Sequence, residues 1–331
     1  IQKDLDDGID TIGKKMTICQ LYAKQIRHRG NVRYNTKNGR KRLMKLLEED
    51  KLGGCPIDSV KLSDAKEWAI RMKEKGISYK TISNDKRSLK AAFYTAIQDD
   101  CIRKNPFDFQ LNTVIEDDTE PKVPLTPAQE ESFLSFAQND KVYQKYYDEL
   151  IILLGTGLRI SELCGLTDTD IDFENRIINV DHQLLRSAET GYYIETPKTK
   201  SGIRQIPMSE KVYEAFNRVL KRRRGAKAVT IDGYSNFLFL NRDGYPKTAT
   251  NYDGMFRGLA KKYNKYHEEA LPKVMTPHTL RHTFCTNMAN AGMNPKALQY
   301  IMGHSNITMT LNYYAHATFD SAKAEMLRIA A

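Results

Sequence analysis

The chain reads as a mainly α-helical protein with a small antiparallel β-sheet, built as two domains. Three observations predict this. Apolar residues recur at helical spacing over most of the length, as in Leu89, Phe93, Ala96 and Ile97. Alternating, β-branched segments are confined to one stretch, 176–208. An acidic, proline-bearing stretch, D-D-T-E-P-K-V-P at 117–124, interrupts the helical pattern, and 331 residues suit two cores better than one.

Residues 1–15 are polar and read as a lead-in segment. The chain opens Ile-Gln-Lys without Met, which suggests a piece of something longer. A helical domain is expected over 16–108. Within it, residues 24–45 carry Lys24, Arg27, Arg29, Arg33, Lys37, Arg40, Lys41, Arg42 and Lys45, with Tyr34 among them and Tyr22 just before. That is the basic and aromatic texture of a nucleic-acid surface, and it also suits a solvated helix face. Ser63 is the expected cap of a helix reaching Lys75, with Gly76 as its stop. Thr81 or Ser83 is expected to cap the next, with Lys86, Arg87 and Lys90 off its apolar face. Asn105-Pro106 closes the domain and 109–124 is a linker. Thr126, Pro127 and Gln129 then supply an N-cap, a first-turn proline and a capping box. The second domain runs 125–318. Its expected strands are 176–180, 192–196 and 203–208, the last two joined by the turn-like K-T-K-S-G. F-L-F-L, at 237–240, is a fourth strand or a buried segment.

The formal net charge of +10 and a pI near 9.2 favour a polyanionic partner, nucleic acid or an acidic membrane surface; a merely basic enzyme fits as well. Five scattered cysteines without C-x-x-C suggest neither a disulfide framework nor a zinc knuckle, and fit a reducing cytoplasm. The longest apolar run, Leu150 to Leu154, is far below the roughly 18 residues of a membrane span. No signal peptide opens the chain.

Chemistry enters at T-P-H-T-L-R-H-T-F-C-T-N-M-A-N-A-G, residues 276–292. Thr276 and Pro277 announce a helix start, where partial positive charge favours acidic residues. Here the first turn instead holds His278 and Arg281, three apart on one face. A bound phosphate would meet backbone N–H groups, a guanidinium and an imidazole together. His278 and His282 have the spacing of a zinc pair, but the Glu of H-E-x-x-H is missing and Arg281 repels a cation. A purely structural histidine pair stays open. G-T-G-L-R-I-S-E-L, 155–163, puts Arg159 after a double-glycine turn with Glu162 placed to orient it. M-G-H-S, 302–305, sets His304 in a tight turn. L-N-Y-Y-A-H, 311–316, brings two tyrosines. A phenol of pKa ~10 is a poor nucleophile at neutral pH. It becomes a credible one among cations that stabilise phenolate and phosphoryl oxygens together. Each motif alone also has an ordinary reading, as surface arginine, turn histidine or packing tyrosine.

In this order, with a lysine between the first and second arginine, the motifs closely resemble the tyrosine recombinase (phage integrase) family. The P-K-T-K-S-G-I-R-Q-I-P segment and the run from Arg281 to Ser305 look most like integrases of Gram-positive conjugative transposons. The resemblance implies a C-shaped clamp, with 16–108 as core-binding domain and 125–318 as catalytic domain closing around DNA. Arg159 and Arg281 would clamp the non-bridging oxygens of the scissile phosphate. His278 would be a general acid/base and phosphate contact, and His304 would hydrogen-bond a phosphate oxygen. Lys200, in the expected hairpin turn, would protonate the leaving 5′ oxygen, with Lys198 as alternative. Tyr314 would be the nucleophile, because Y-A-H matches the family's Y-x-H; Tyr313, nine residues after His304, is the alternative. Glu162 would be supportive.

The implied reaction forms a 3′-phosphotyrosyl link, then reseals by attack of a 5′-hydroxyl, with no metal and no cofactor. The expected partners are double-stranded DNA (transposon ends, a target or a circular intermediate), further copies in a tetrameric synapse, and an accessory excision protein, with no membrane. The expected setting is the bacterial cytoplasm, at the nucleoid. Lys24, Arg27, Arg33, Lys37, Arg40, Lys86 and Lys90 are the expected phosphate contacts, giving salt-dependent affinity. The tail 319–331 has Ala322, Met326 and Ile329 at helical spacing, to dock on a neighbour or pack on its own domain. The family's transposon integrases also carry an amino-terminal domain for arm sites; its absence before residue 16 suggests truncation. A catalytically silent DNA-binding protein, a metal-dependent nuclease and a type IB topoisomerase are the competing readings. The nuclease would need clustered carboxylates, and 276–316 contains none.

Overall fold

The structure, a computed structural model, describes residues 13–30, 32–121, 123–197, 199–223, 229–314 and 326–327. The chain divides into two compact units, Ile1–Glu120 and Pro121–Ala331, each with its own apolar core. Residues 1–12 of the expected lead-in, Lys198, and all of the expected tail except Met326 and Leu327 lie outside the described residues. No helix among the described residues is long and apolar enough to cross a membrane.

Among the described residues the first unit holds four α-helices: α1 (Ile18–His28), α2 (Tyr34–Glu48), α3 (Leu62–Glu74) and α4 (Tyr79–Gln98). Thr17 and Gln20 form a reciprocal capping box at α1. Two expected caps are corrected. α3 starts at Leu62, so Ser63 is already helical; Lys61 holds the cap position and the Asp64 carboxylate accepts its N–H. α4 is entered from Ser78, not Thr81 or Ser83, and the Ser78 hydroxyl donates to that of Thr81. Gly76 ends α3 at φ +78°, a conformation that favours glycine. Trp68, Phe93 and Phe107 pack together at the centre. The core continues beyond residue 108, because a 3-10 turn at Leu111–Thr113 folds Leu111 and Ile115 back onto it. Asp118 then pairs with Lys73 and accepts the Tyr79 N–H. The stretch expected as linker from 109 is thus fastened to this unit as far as Asp118.

The second unit opens with α5 (Pro127–Asn139), α6 (Tyr147–Thr156) and α7 (Ile160–Gly165). The expected Thr126–Gln129 capping box is present, at 3.1 Å in both directions. Thr126→Ala is expected to lower unfolding free energy by about 1 kcal/mol, read as an earlier urea midpoint at unchanged slope. Five strands follow: β1 (Ile171–Asp172), β2 (Ile177–Val180), β3 (Gln183–Ser187), β4 (Gly191–Glu195) and β5 (Arg204–Pro207). They make two antiparallel sheets, β1-β2-β5 and β3-β4. The hairpin expected between 192–196 and 203–208 does not form. β4 pairs with β3, and β5 pairs with β2, where Ile206 lies opposite the equally buried Ile178. K-T-K-S-G is therefore the connection between two sheets. F-L-F-L is a buried segment with isolated bridges, Phe237 to Thr167 and Leu240 to Pro246. Helices α8 (Glu210–Arg223), α9 (Ala249–Tyr266), α10 (Pro277–Asn290), α11 (Pro295–Met302) and α12 (Thr308–Leu311) follow among the described residues.

Candidate active site

Two glycine turns build the site. α6 ends at Gly157, φ +63°, where a Cβ would lie 2.5 Å from the Phe284 ring. α11 ends at Gly303, φ +61°. Such turns leave carbonyls at helix C-termini without intrahelical donors. Arginines from elsewhere satisfy them. Arg281, buried on α10, donates to Gly157 O and Met302 O, each at 2.5 Å. Arg159, the cap residue of α7, donates to Gly303 O at 3.0 Å and to Glu162 Oε1 at 2.7 Å. The two predicted arginines are thereby fixed around one pair of helix ends.

Glu162 is buried and takes bonds from three groups: Arg159, the Arg159 N–H, and a bidentate Arg204. Burial raises its carboxyl, but Arg204, with Arg159 and Arg281 nearby, outweighs that and holds it at about 2. The sequence motifs do not single out Arg204. Its only signal is a charged residue in the inward register of a strand, two before the buried Ile206. Three guanidiniums now surround one carboxylate, a surplus of positive charge. Burial, then Arg159 and Arg204, push the Arg281 pKa down. A guanidinium stays charged at working pH, so an incoming anion relieves that crowding. Replacing Glu162 by Gln leaves those cations without their carboxylate. The expected cost is about 3–5 kcal/mol by chemical denaturation. Because the folded pKa is depressed, the carboxylate's contribution is complete above the ordinary 4.5 and fades as pH falls toward 2. Glu162→Gln should lose that part of the acid-unfolding profile.

His304 directly follows Gly303 and is buried, with Nδ1 2.9 Å from the Thr310 hydroxyl. Burial, then Arg281, Arg159 and Arg204, push its pKa down to about 4, so the ring is neutral at neutral pH. His278 is exposed in the first turn of α10, its ring centre 4.7 Å from that of His282 and perpendicular to it. The Tyr313 hydroxyl meets His282 Nδ1, a contact absent from the sequence reading. Tyr313 is half-buried beside Phe284, Cys285 and Met302; burial pushes its phenol up to about 12, with Arg281 pulling the other way. The Tyr314 hydroxyl instead donates to Met293 O at 2.5 Å. Lys200 is exposed on a 3-10 turn, Lys200–Gly202, whose last carbonyl accepts from Arg204 at 3.0 Å.

The predicted phosphate contacts divide. Lys37 and Arg40, with Lys41 and Lys45, line one groove between α1 and α2. Arg27 is exposed at the end of α1, and Arg33 stands at the cap of α2. Lys24 pairs with Asp99, Lys90 with Asp108, and Lys86 lies 4.5 Å over the Phe109 ring. One group among the described residues has the geometry for a metal: Asp170, Asp181 and His182. Both His182 nitrogens are already bonded, to Asp181 at 2.6 Å and to Gly165 O at 2.8 Å. That makes the group a brace behind α7.

Residues 124–321 match the phage integrase family. The transposase from transposon Tn916 of Enterococcus faecalis is 69 % identical over 329 residues, 99 % of this chain and 81 % of that protein. A structure of the Tn1549 transposon integrase with circular intermediate DNA is 78 % identical, at TM-score 0.91 over 95 % of this chain and 99 % of that one. Another, with transposon right end DNA, is 78 % identical at TM-score 0.89, over 96 % and 100 %. The two carry, respectively, an arginine-to-lysine and a tyrosine-to-phenylalanine substitution, 154 positions apart in that protein. In the present chain Arg159 and Tyr313 are 154 apart, and Arg159 and Tyr314 are 155. On the family match and on identity along nearly its whole length, the chain belongs to the phage integrase family of tyrosine recombinases.

Proposed function

We propose that the chain is the site-specific recombinase of a conjugative transposon, cutting and rejoining DNA strands through a 3′-phosphotyrosyl link without metal or ATP. One observation carries this: two arginines, a neutral histidine and a tyrosine converge on the ends of α6 and α11, with a surplus of positive charge. Arg159 and Arg281 use only some of their N–H donors on protein, leaving others for the non-bridging oxygens. His304 Nε2–H is a phosphate donor when Nδ1 accepts from Thr310. Tyr313 oxygen attacks phosphorus, its proton passing toward the imidazoles His282 and His278. The P–O5′ bond breaks and Lys200 protonates the leaving oxygen. Lys198, the alternative acid, lies outside the described residues.

For the nucleophile we propose Tyr313, in place of the Tyr314 that the Y-x-H wording favours. Three things support it. Its hydroxyl is on His282, whereas that of Tyr314 is on Met293 O. It stands nine residues after His304. Its distance from Arg159 along the chain equals that between the substituted arginine and tyrosine of the Tn1549 integrase. The helical unit serves as core-binding domain, with Lys37 and Arg40 among its phosphate contacts. The protein works as a tetramer on paired transposon ends, with an accessory protein for excision, in the bacterial cytoplasm.

The test is strand exchange on a synthetic circular-intermediate junction, with chelator present and ATP absent. Rejoined strands and protease-sensitive protein–DNA adducts are expected. Cleavage that needs a divalent cation and leaves no adduct would indicate a metal-dependent nuclease. Tight binding without cleavage would indicate a silent DNA-binding protein.

A further inference from the structure

We propose that Arg204 is a positioning residue for the leaving-group acid: it holds the turn that carries Lys200 in register with the arginine clamp. This rests on the recombinase reading above. Arg204 is fully packed and bonds three separate segments. Nε donates to Ile301 O at 2.5 Å, near the end of α11. Nη1 donates to Gly202 O at 3.0 Å, on the lysine turn. Nη1 and Nη2 grip Glu162 at 3.1 and 2.8 Å, and Glu162 in turn holds Arg159.

The turn needs such an anchor. β4 ends at Glu195 and β5 begins at Arg204, with different partner strands, so the described residues between them have no ladder to fix them. The turn is also wedged from two sides. A Cβ on Gly202 would lie 2.3 Å from Pro197 Cβ. A Cβ on Gly303 would lie 3.0 Å from Ser201 O and 3.2 Å from Arg204 Nη1. Gly303 is also the residue whose carbonyl holds Arg159 and which precedes His304. A buried Arg–Glu pair is seldom the most stabilising way to fill a core. What a five-donor planar cation adds is one fixed geometry shared by the lysine turn, the end of α11 and Glu162.

The chemistry supplies a selective readout. When the tyrosine oxygen bonds phosphorus and P–O5′ breaks, Lys200 gives its ammonium proton to O5′ and becomes a neutral amine. With sulfur in place of O5′, the leaving thiolate needs no proton, because a thiol has pKa ~8.5. A variant that disturbs only acid delivery is therefore slow on the oxygen substrate and normal on the sulfur one.

The experiment measures single-turnover cleavage by the intact chain on matched transposon-end DNAs with a bridging 5′ oxygen or 5′ sulfur. The variants are Lys200→Ala, Lys198→Ala, Arg204→Lys and Gly202→Ala; the last moves the turn while keeping Arg204, should the Arg204 variant fold poorly. Lys200→Ala should lose about 10²–10⁴-fold on oxygen and under about threefold on sulfur. Arg204→Lys and Gly202→Ala should lose about 10- to 100-fold on oxygen and recover on sulfur in the same way. Equal loss on both substrates in Arg204→Lys and Gly202→Ala, alongside a rescued lysine variant, overturns the positioning role alone. Rescue of Lys198→Ala in place of Lys200→Ala, with Arg204→Lys still rescued, supports the positioning role and moves the acid along the same segment. If neither lysine variant is rescued, the acid assignment fails and the inference falls with it.

Discussion

Tyr313→Phe is expected to abolish strand cleavage while Tyr314→Phe retains it. Removing a nucleophile in a well-studied hydrolase costs roughly 10⁶-fold, and loss on that scale is expected for Tyr313→Phe with DNA binding preserved. The phenol resting at about 12 is a reluctant nucleophile, held down by burial more than it is helped by Arg281. A bound phosphate brings the reacting atom to it, with His282 already on its hydroxyl. Tyr314→Phe gives up one bond to Met293 O, worth about 1 kcal/mol of stability. Its cleavage rate should stay within about tenfold of the parent, since only packing near the site changes. Denaturing gels of time courses on nicked substrates separate the two outcomes.

Arg281→Lys is expected to slow cleavage by about 10²–10³-fold, the scale of losing one preorganised donor to a developing oxyanion. A lysine ammonium is a point charge. It cannot bridge Gly157 O and Met302 O, 2.5 Å from two different guanidinium nitrogens, and still face a phosphate. The variant should also melt earlier, because those carbonyls lose their donors in a buried place. Affinity for transposon-end DNA should change much less, since many other phosphate contacts are expected to contribute to it. Salt titrations of binding beside single-turnover rates separate the effects. The Tn1549 integrase is seen in complex with DNA while carrying an arginine-to-lysine substitution at the arginine whose spacing matches Arg159, so losing that guanidinium is compatible with complex formation in that protein.

The parts of the site legible in the sequence are those whose residue types are unusual for their position. An arginine and a histidine in the first turn of α10 run against the helix dipole, and that conflict pointed to an anion. Glycines at 157 and 303 marked helix ends, and both adopt positive φ. What was illegible depends on long-range partners. Q-L-L-R-S is not β-branched, and its strand exists because β4 pairs with it. The supposed hairpin failed because Ile206 and Arg204 bury against β2 and Glu162, facts no local window contains. Arg204 reads on paper like any basic residue of a basic chain. Tyr313 and Tyr314 are neighbours whose hydroxyls go to His282 and Met293, a divergence that only the folded chain reveals. Cap positions slipped by a few residues because Asp64 and Ser78 take roles that several nearby residues are equally able to fill.

The central claim is a metal-free, covalent tyrosine chemistry centred on Tyr313. The most direct measurement traps the protein on a nicked suicide substrate of its transposon end, in chelator, and maps the DNA-linked residue by mass spectrometry of the digested adduct. The account predicts a nucleotide attached through the Tyr313 oxygen as a 3′-phosphodiester, with a free 5′-hydroxyl on the released strand. Attachment at Tyr314, or cleavage that yields no adduct and requires a divalent cation, would contradict it.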